Sequence, residues 1–227
     1  NMRENFVEME EITSRVLNGL SNYGAELLDV VETNNGIFSE VCNFLGSLVN
    51  CGYSQNYRFI PYGLDSYLPV NKIYFGSKNF EVRFPFNTKY GGMVSIKEYR
   101  NITNAGMMDG FLQLPFEFVI SQSFEYINRT VAISNIQLQQ RRLIQSEDVA
   151  VSQIQEIDEA LDATMSGRFA FGKHHLSIMC TDDNMKSIEN DLSMIIVEFS
   201  NIGITAVRER LNMEASFWAQ LPGNFSY

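Results

Sequence analysis

Residues 167–173 are the stretch whose residue types come nearest to nucleotide chemistry. Two glycines stand five residues apart and a lysine follows the second, as in a loop whose backbone amides cradle phosphates. His174, however, takes the place of the hydroxyl that such a loop offers to magnesium, and bulky Phe169 and Phe171 replace small residues. The segment also follows a helical pattern and enters a strand pattern, the reverse of the order that a phosphate loop requires. We therefore predict no catalytic and no cofactor-binding residue in this chain.

His174 and His175 are the two histidines of the chain. Adjacent residues of a strand point to opposite faces, so the two rings cannot readily hold one metal ion together. No cysteine or further histidine stands at zinc spacing beside them. We predict no metal site and expect one packed and one solvated histidine.

Arg208 and Arg210 alternate with Glu209 on a predicted strand, which places both guanidinium groups on one face. This face fits an anion site, a charged interface with another subunit, or the solvated face of a sheet edge. The carboxylates of residues 156–162, by contrast, form the polar face of a predicted helix and offer no paired acid and base.

Phe217 and Trp218 lie on a short predicted helix over residues 214–220, which Pro222 and Gly223 end. Large apolar side chains placed directly before such a stop pack on a domain further along the chain, fold back, or remain exposed as an interface. We therefore take Phe217, Trp218, Arg208 and Arg210 as candidate interface residues.

Composition indicates a folded protein: hydrophobic residues make up 45% of the 227 residues and charged residues 19%. The net charge of −10 argues against direct nucleic-acid binding, which needs clustered lysine and arginine. Three unpatterned cysteines favour a reducing compartment. No signal peptide and no apolar run of roughly 18 residues is present. The chain begins with Asn in the middle of a helical pattern, so we expect a piece of a longer polypeptide.

Residues 1–90 are predicted to form a subdomain of helices and one β-hairpin. Apolar residues at three- and four-residue spacing predict a helix over residues 6–20, and further helices are predicted over 26–31 and 37–49. The hairpin is predicted over residues 72–84. Composition changes at residues 85–92, where we place the boundary.

Residues 91–212 are predicted to form an α+β domain, and residues 213–227 a connector. Strands are predicted at 93–99, 116–127, 175–180 and 204–211, and helices at 104–114, 129–144 and 148–166. A last helix is predicted to be capped by Asp182 or Asp183 and ended by Gly203. Two β-α-β units with a helical insert give a ferredoxin-like antiparallel sheet with helices on one face.

Five segments, in order along the chain, carry a resemblance to a known family. They are Tyr67-Leu-Pro69, Val94-Ser-Ile-Lys-Glu-Tyr99, the strand around Gln122-Ser-Phe124, Phe171-Gly-Lys-His-His-Leu176, and Glu214-Ala-Ser-Phe-Trp-Ala-Gln-Leu-Pro-Gly-Asn224. Together they resemble the region preceding the nucleotide-binding core of the large type IV secretion ATPases, the VirB-four/CagE/TrbE group. The resemblance runs from about Tyr67 to the carboxyl end.

The resemblance implies a parent ATPase at the cytoplasmic face of the bacterial inner membrane. Such proteins energise assembly of the secretion apparatus and export of DNA or protein, and are associated with conjugation, protein transport and virulence. ATP and magnesium are then bound by a further, carboxyl-terminal ATPase domain. This chain is expected to be the noncatalytic docking and oligomerisation part, whose partners are that domain, other inner-membrane components and further copies. The alternative is a self-contained domain that binds a small anion through Arg208 and Arg210.

Overall fold

The computed structural model describes residues 2–60, 63–145 and 151–224, and the chain divides into two compact units. The first comprises residues 1–73 and 82–85, and the second residues 74–81 and 86–227. The boundary predicted between residues 90 and 91 falls inside a strand that runs without interruption from Thr88 to Glu98. The last three residues of the predicted connector lie outside the described residues.

The first unit begins with helix α1 (Met2–Gly19), as the apolar spacing predicts. The helix predicted over residues 26–31 is wrong, because strands β1 (Val30–Thr33) and β2 (Gly36–Ser39) form an antiparallel hairpin there. Its turn contains Asn34, Asn35 and Gly36, and the Thr33 hydroxyl donates a 3.0 Å hydrogen bond to the Gly36 carbonyl. Gly36 has a φ of 132°, a conformation that glycine adopts without strain.

Helix α2 (Glu40–Val49) starts three residues later than predicted, at a cap in which the Ser39 hydroxyl accepts from the Cys42 amide. Asn50 follows the helix and is completely buried. Its side-chain amide donates to the carbonyls of Gly46 and Leu68, at 2.8 Å each, and its oxygen accepts from the Val70 amide at 3.0 Å. A buried amide with both ends satisfied fixes the course of the chain, so Asn50 joins α2 to the segment leading to residue 71.

Strand β3 (Lys72–Phe75) and strand β4 (Phe80–Arg83) form the predicted hairpin. They belong to a six-stranded sheet with β5 (Thr88–Glu98), β6 (Phe118–Tyr126), β7 (Gly172–Asp182) and β8 (Thr205–Arg208). The strand order is β3-β4-β5-β7-β6, and β8 also pairs with β5. Strand β7 is antiparallel to both β5 and β6, and β8 is antiparallel to β5.

The predicted α+β class is confirmed. Helix α5 (Met185–Asn201) packs on the sheet, and its buried residues Ile188, Leu192, Ile195 and Phe199 form the core of the second unit with apolar residues of β5 and β7. Asn184 caps the helix by accepting from the Lys186 amide, where Asp182 or Asp183 was predicted to do so. The helix predicted over residues 104–114 shortens to the 3-10 helix Asp109–Gln113. The ferredoxin-like arrangement, which has a full crossover helix at that position, stays a prediction.

Helices α3 (Arg129–Gln145) and α4 (Val151–Met165) form the predicted insert between β6 and β7 and pack against each other. The predicted start of α4 at Asp148 lies outside the described residues. Helix α6 (Met213–Trp218) follows β8, which ends at Arg208 rather than at the predicted residue 211.

Candidate functional site

The segment with phosphate-loop spacing connects the end of α4 to the start of β7 in this structure. The backbone amides of Arg168 and Phe169 both donate to the Ala163 carbonyl, at 2.9 and 3.2 Å, which closes α4. Gly167 takes the left-handed conformation typical of a helix end, with a φ of 75°. These amides are used to end the helix and are not free to bind a phosphate. The predicted helix-to-strand connection is confirmed, since the segment leads from α4 into β7.

His174 and His175 point to opposite faces of β7, as predicted, since His174 pairs with Phe124 and His175 with Ser123 in the register with β6. The expectation of one solvated ring is wrong, because both histidines are half-buried. The Tyr99 hydroxyl lies 2.5 Å from Nδ1 of His174, and the amide nitrogen of Gln122 lies 2.8 Å from Nε2. Burial, and secondly the neighbouring His175, lower the pKa of His174.

Arg208 is the centre of a polar cluster within the second unit. Its guanidinium donates to both carboxylate oxygens of Glu189 on α5, a bidentate pair. It also donates to the side-chain oxygen of Asn79 and, at 3.1 Å, to the carbonyl of Lys78, both in the turn between β3 and β4. Arg208 therefore joins strand β8, helix α5 and the hairpin turn.

The Arg208 side chain is 15% exposed and that of Glu189 46% exposed. Hydrogen bonding from Arg208 lowers the pKa of Glu189 to about 2, and burial opposes this shift. Because the Arg208 guanidinium is already paired with the Glu189 carboxylate, it can contribute little to the binding of an external anion. The geometry therefore does not favour the alternative of an anion clamp at Arg208.

Arg210 lies beyond the end of β8 and is exposed, so the predicted alternation of two arginines on one strand face is wrong. The chain leaves the strand at Glu209, whose amide donates to the Met93 carbonyl at 2.8 Å. The exposed Arg210 side chain is accessible to a partner, whereas the Arg208 side chain is used in hydrogen bonds within the second unit.

Phe217 and Trp218 lie on α6, and the structure places them differently. Phe217 is 1% exposed, with its ring 5.4 Å from that of Phe75 and 5.1 Å from that of Phe80. Trp218 is half-buried, and its ring stands perpendicular to that of Phe217 at 5.1 Å. Of the four candidate interface residues, Trp218 and Arg210 thus have accessible surface, while Phe217 and Arg208 hold elements of the second unit together. An interface role for the accessible pair stays a prediction.

Other chemistry is sparse among the residues that the structure describes. No group of three or more His, Cys, Asp or Glu side chains in residues 2–60, 63–145 and 151–224 is arranged to hold a metal ion. No helix in those ranges is long and apolar enough to cross a membrane. The carboxylates of α4 are exposed along the helix, as predicted, and Asp162 pairs with Arg168 at 2.8 Å.

Sequence reasoning missed Asn79 and Glu189, the two side-chain partners of Arg208. They stand 129 and 19 residues away from it along the chain, and each has an ordinary place in its own element, a turn and a polar helix face. The pairing of the strands and the packing of α5 against β8 together bring the three side chains into contact. Asn50 was missed in the same way, because an asparagine after a helix signals an end of that helix and nothing about distant carbonyls.

Comparison with known proteins identifies the family to which this arrangement belongs. The family model described as "CagE, TrbE, VirB family, component of type IV transporter system" matches residues 26–227. Type IV secretion system protein virB4 of Bartonella henselae is 38% identical over 220 residues, which are 97% of this chain and 28% of that protein. Protein virB4 of Rhizobium radiobacter is 31% identical over 219 residues, or 96% of this chain and 28% of the relative. The type IV secretion system protein PtlC homolog of Bordetella bronchiseptica is 30% identical over 227 residues, or 96% and 27%.

The chain thus spans little more than a quarter of the length of these curated relatives. The family match covers nearly all of it, including the whole sheet, the Arg208 cluster and α6. This chain belongs to the CagE, TrbE, VirB family, a component of type IV transporter systems.

Proposed function

We propose that this chain is the noncatalytic docking and oligomerisation part of a type IV secretion ATPase at the cytoplasmic face of the bacterial inner membrane. The observation that carries the proposal is the family match over residues 26–227, together with relatives named as virB4 proteins of type IV secretion systems. In this proposal the complete protein binds ATP and magnesium through its other parts and energises export of DNA or protein. This chain contacts those parts and other inner-membrane components of the apparatus.

Exposed apolar side chains support a docking role. In α1 the residues of the apolar stripe remain open to solvent, with Phe6 62%, Met9 64% and Val16 53% exposed. Large exposed apolar patches mark surfaces that another protein covers. The hydrogen bonds of the polar groups discussed above also support the proposal. The Arg208 guanidinium and the backbone amides at the end of α4 bind other groups of the chain, and this use stabilises the fold and does not arrange them around a substrate.

The proposal predicts that this chain interferes with a working secretion system. Expressed in excess in bacteria that carry an intact type IV system, it should compete with the resident ATPase for docking sites and reduce substrate export severalfold. The matched variant Phe6→Glu/Met9→Glu changes exposed side chains of α1 and should fold normally but interfere much less. Export by reporter translocation and the amount of each variant by immunoblot are the two measurements.

Two results would contradict the proposal. Undiminished export in the presence of abundant, folded chain would show that it does not compete for docking. Magnesium-dependent ATP turnover by the purified chain, measured by phosphate release, would show that it is catalytic by itself.

A further inference from the structure

Strand β6 forms an outer edge of the sheet over nine residues. Its register with β7 runs without a shift from Phe118, opposite Cys180, to Tyr126, opposite Gly172. Among the described residues no strand other than β7 pairs with it. Alternate backbone N–H and C=O groups along its outer side are therefore in place to pair with one more strand.

This edge lacks the features with which proteins protect an open strand. The sequence Phe-Val-Ile-Ser-Gln-Ser-Phe-Glu-Tyr of residues 118–126 contains no proline, lysine or arginine, and the regular register excludes a bulge within it. Its one charged residue, Glu125, stands 3.6 Å from Lys173 of β7. Large side chains of the strand remain exposed: Ile120 is 38% exposed, Phe124 55% and Tyr126 76%. Both the edge and the face beside it are suited to strand addition.

Two copies of β6 also have complementary side chains when they are aligned antiparallel with Gln122 opposite Gln122. The pairs are then Ser121 with Ser123, Ile120 with Phe124, Val119 with Glu125, and Phe118 with Tyr126. Hydroxyl meets hydroxyl, and apolar or aromatic side chains meet aromatic ones, which are the cross-strand pairs that stabilise antiparallel sheets. Glu125 faces Val119 of the other copy, so the two carboxylates do not oppose each other. This is also the register that pairs all nine residues.

We infer that β6 pairs antiparallel with β6 of a second copy of this chain, around a two-fold axis at Gln122, to form one sheet continuous across a dimer. Such an interface is isologous, since both copies use the same surface: Ile120 of each copy contacts Phe124 of the other. The inference rests on the oligomerisation role proposed above and gives that role a defined surface. The β6 dimer is tested on the purified chain, whereas the docking role is tested by interference with secretion. Either claim can therefore fail without the other.

The register is tested by disulfide cross-linking in a Cys42→Ser background, since Cys42 is partly exposed while Cys51 and Cys180 are buried. Directly opposite residues of an antiparallel pair have Cα atoms about 4.5–5.5 Å apart, within reach of a disulfide. Gln122→Cys should therefore form a covalent dimer on mild oxidation. Ser121→Cys alone should not, but mixed with Ser123→Cys it should give the heterodimer. Leu112→Cys, at a position 79% exposed on the 3-10 helix, is the control that should form no covalent dimer.

The surface is tested by sedimentation equilibrium with two matched charge insertions. Phe124→Lys places a charge opposite Ile120 twice per dimer and should raise the dimer dissociation constant about tenfold or more. Phe86→Lys, at a fully exposed phenylalanine of the same unit, should change it less than about twofold. Circular dichroism confirms that both variants are folded.

Three outcomes would overturn the inference. The first is a chain that sediments as a monomer at the highest soluble concentration, which would leave the β6 edge to a strand of another protein. The second is a dimer that Phe124→Lys does not weaken, and the third is a Ser121→Cys homodimer that forms as readily as the Gln122→Cys one.

Discussion

At the scale of single residues, the pair of Arg208 and Glu189 shows how a predicted binding residue becomes part of the fold. The sequence makes Arg208 a candidate interface residue because Arg208 and Arg210 alternate with Glu209, which places both arginines on one face of the predicted strand. In the structure it is 15% exposed and hydrogen-bonded to α5 and to the turn between β3 and β4. Its effect on Glu189 is large enough to be measured.

We expect a pH-dependent stabilisation from Glu189. Its folded-state pKa lies near 2, below the ordinary value of 4.5, so the stabilisation is present above about pH 4.5 and is lost as the pH falls toward 2. Because Glu189 is 46% exposed, Glu189→Gln should lower the free energy of unfolding at pH 7 by only about 1 kcal/mol. Urea denaturation between pH 7 and pH 3 should show the wild-type and variant curves converging at low pH.

The control for this prediction is the same substitution in an Arg208→Met background, where the cause of the shifted pKa is gone. There Glu189→Gln should have no effect that depends on pH in this way. A wild-type advantage that stays constant down to pH 3 would mean that another group is responsible.

At the scale of elements, the sequence was a good guide wherever a local pattern decides the structure. Helix α5 has apolar residues at helical spacing and a glycine at its end, and β3 and β4 are separated by a glycine-containing turn, so each was predicted within a residue or two. The strands β1 and β2 were missed because the Asn34-Asn35-Gly36 turn was not recognised between short β-branched segments. Partners such as Asn50 with Leu68 depend on tertiary packing, which no local pattern encodes.

The insert formed by α3 and α4 illustrates a prediction at this scale. Tyr126 at the end of β6 and Gly172 at the start of β7 are already paired, and the Ile127 amide donates to the Phe171 carbonyl at 2.9 Å. The two ends of the insert are therefore as close as those of a two-residue hairpin.

Replacing residues 128–170 with Asn-Gly should thus leave the sheet folded. The shortened chain should unfold cooperatively in urea and keep its near-ultraviolet circular dichroism, because in the described residues α3 and α4 pack mainly against each other. As a matched control, residues 128–170 are replaced with Ala-Pro. Proline at the second position disfavours the two-residue hairpin turn, so this variant should fold less stably than the Asn-Gly variant. A shortened chain that binds hydrophobic dye and has lost its tertiary spectrum would show that the insert supports the sheet.

At the scale of the whole molecule, the distribution of charge bears on the kinds of molecule that this chain can contact. The net charge is −10. Several cations are further neutralised by acidic neighbours: Lys89 by Glu117 at 3.1 Å, Arg168 by Asp162 at 2.8 Å, and Lys173 by Glu125 at 3.6 Å. On α3 and α4 the charges are segregated, with arginines 129, 141 and 142 on the first helix and four carboxylates on the second.

We therefore expect that the chain does not bind nucleic acid directly, even if the complete system exports DNA. Nonspecific binding needs several unneutralised cations in contact with phosphates and reaches dissociation constants of roughly 10⁻⁴ to 10⁻⁶ M at physiological salt. The fluorescence anisotropy of a labelled duplex should stay unchanged up to about 100 µM chain at this salt concentration. Reversing the four carboxylates of α4 to lysine gives the matched control, since it would join the arginines of α3 in a basic surface and should create binding that salt weakens. Salt-sensitive binding by the unaltered chain would contradict the expectation. It would show that the chain has a phosphate-contacting surface despite its negative net charge.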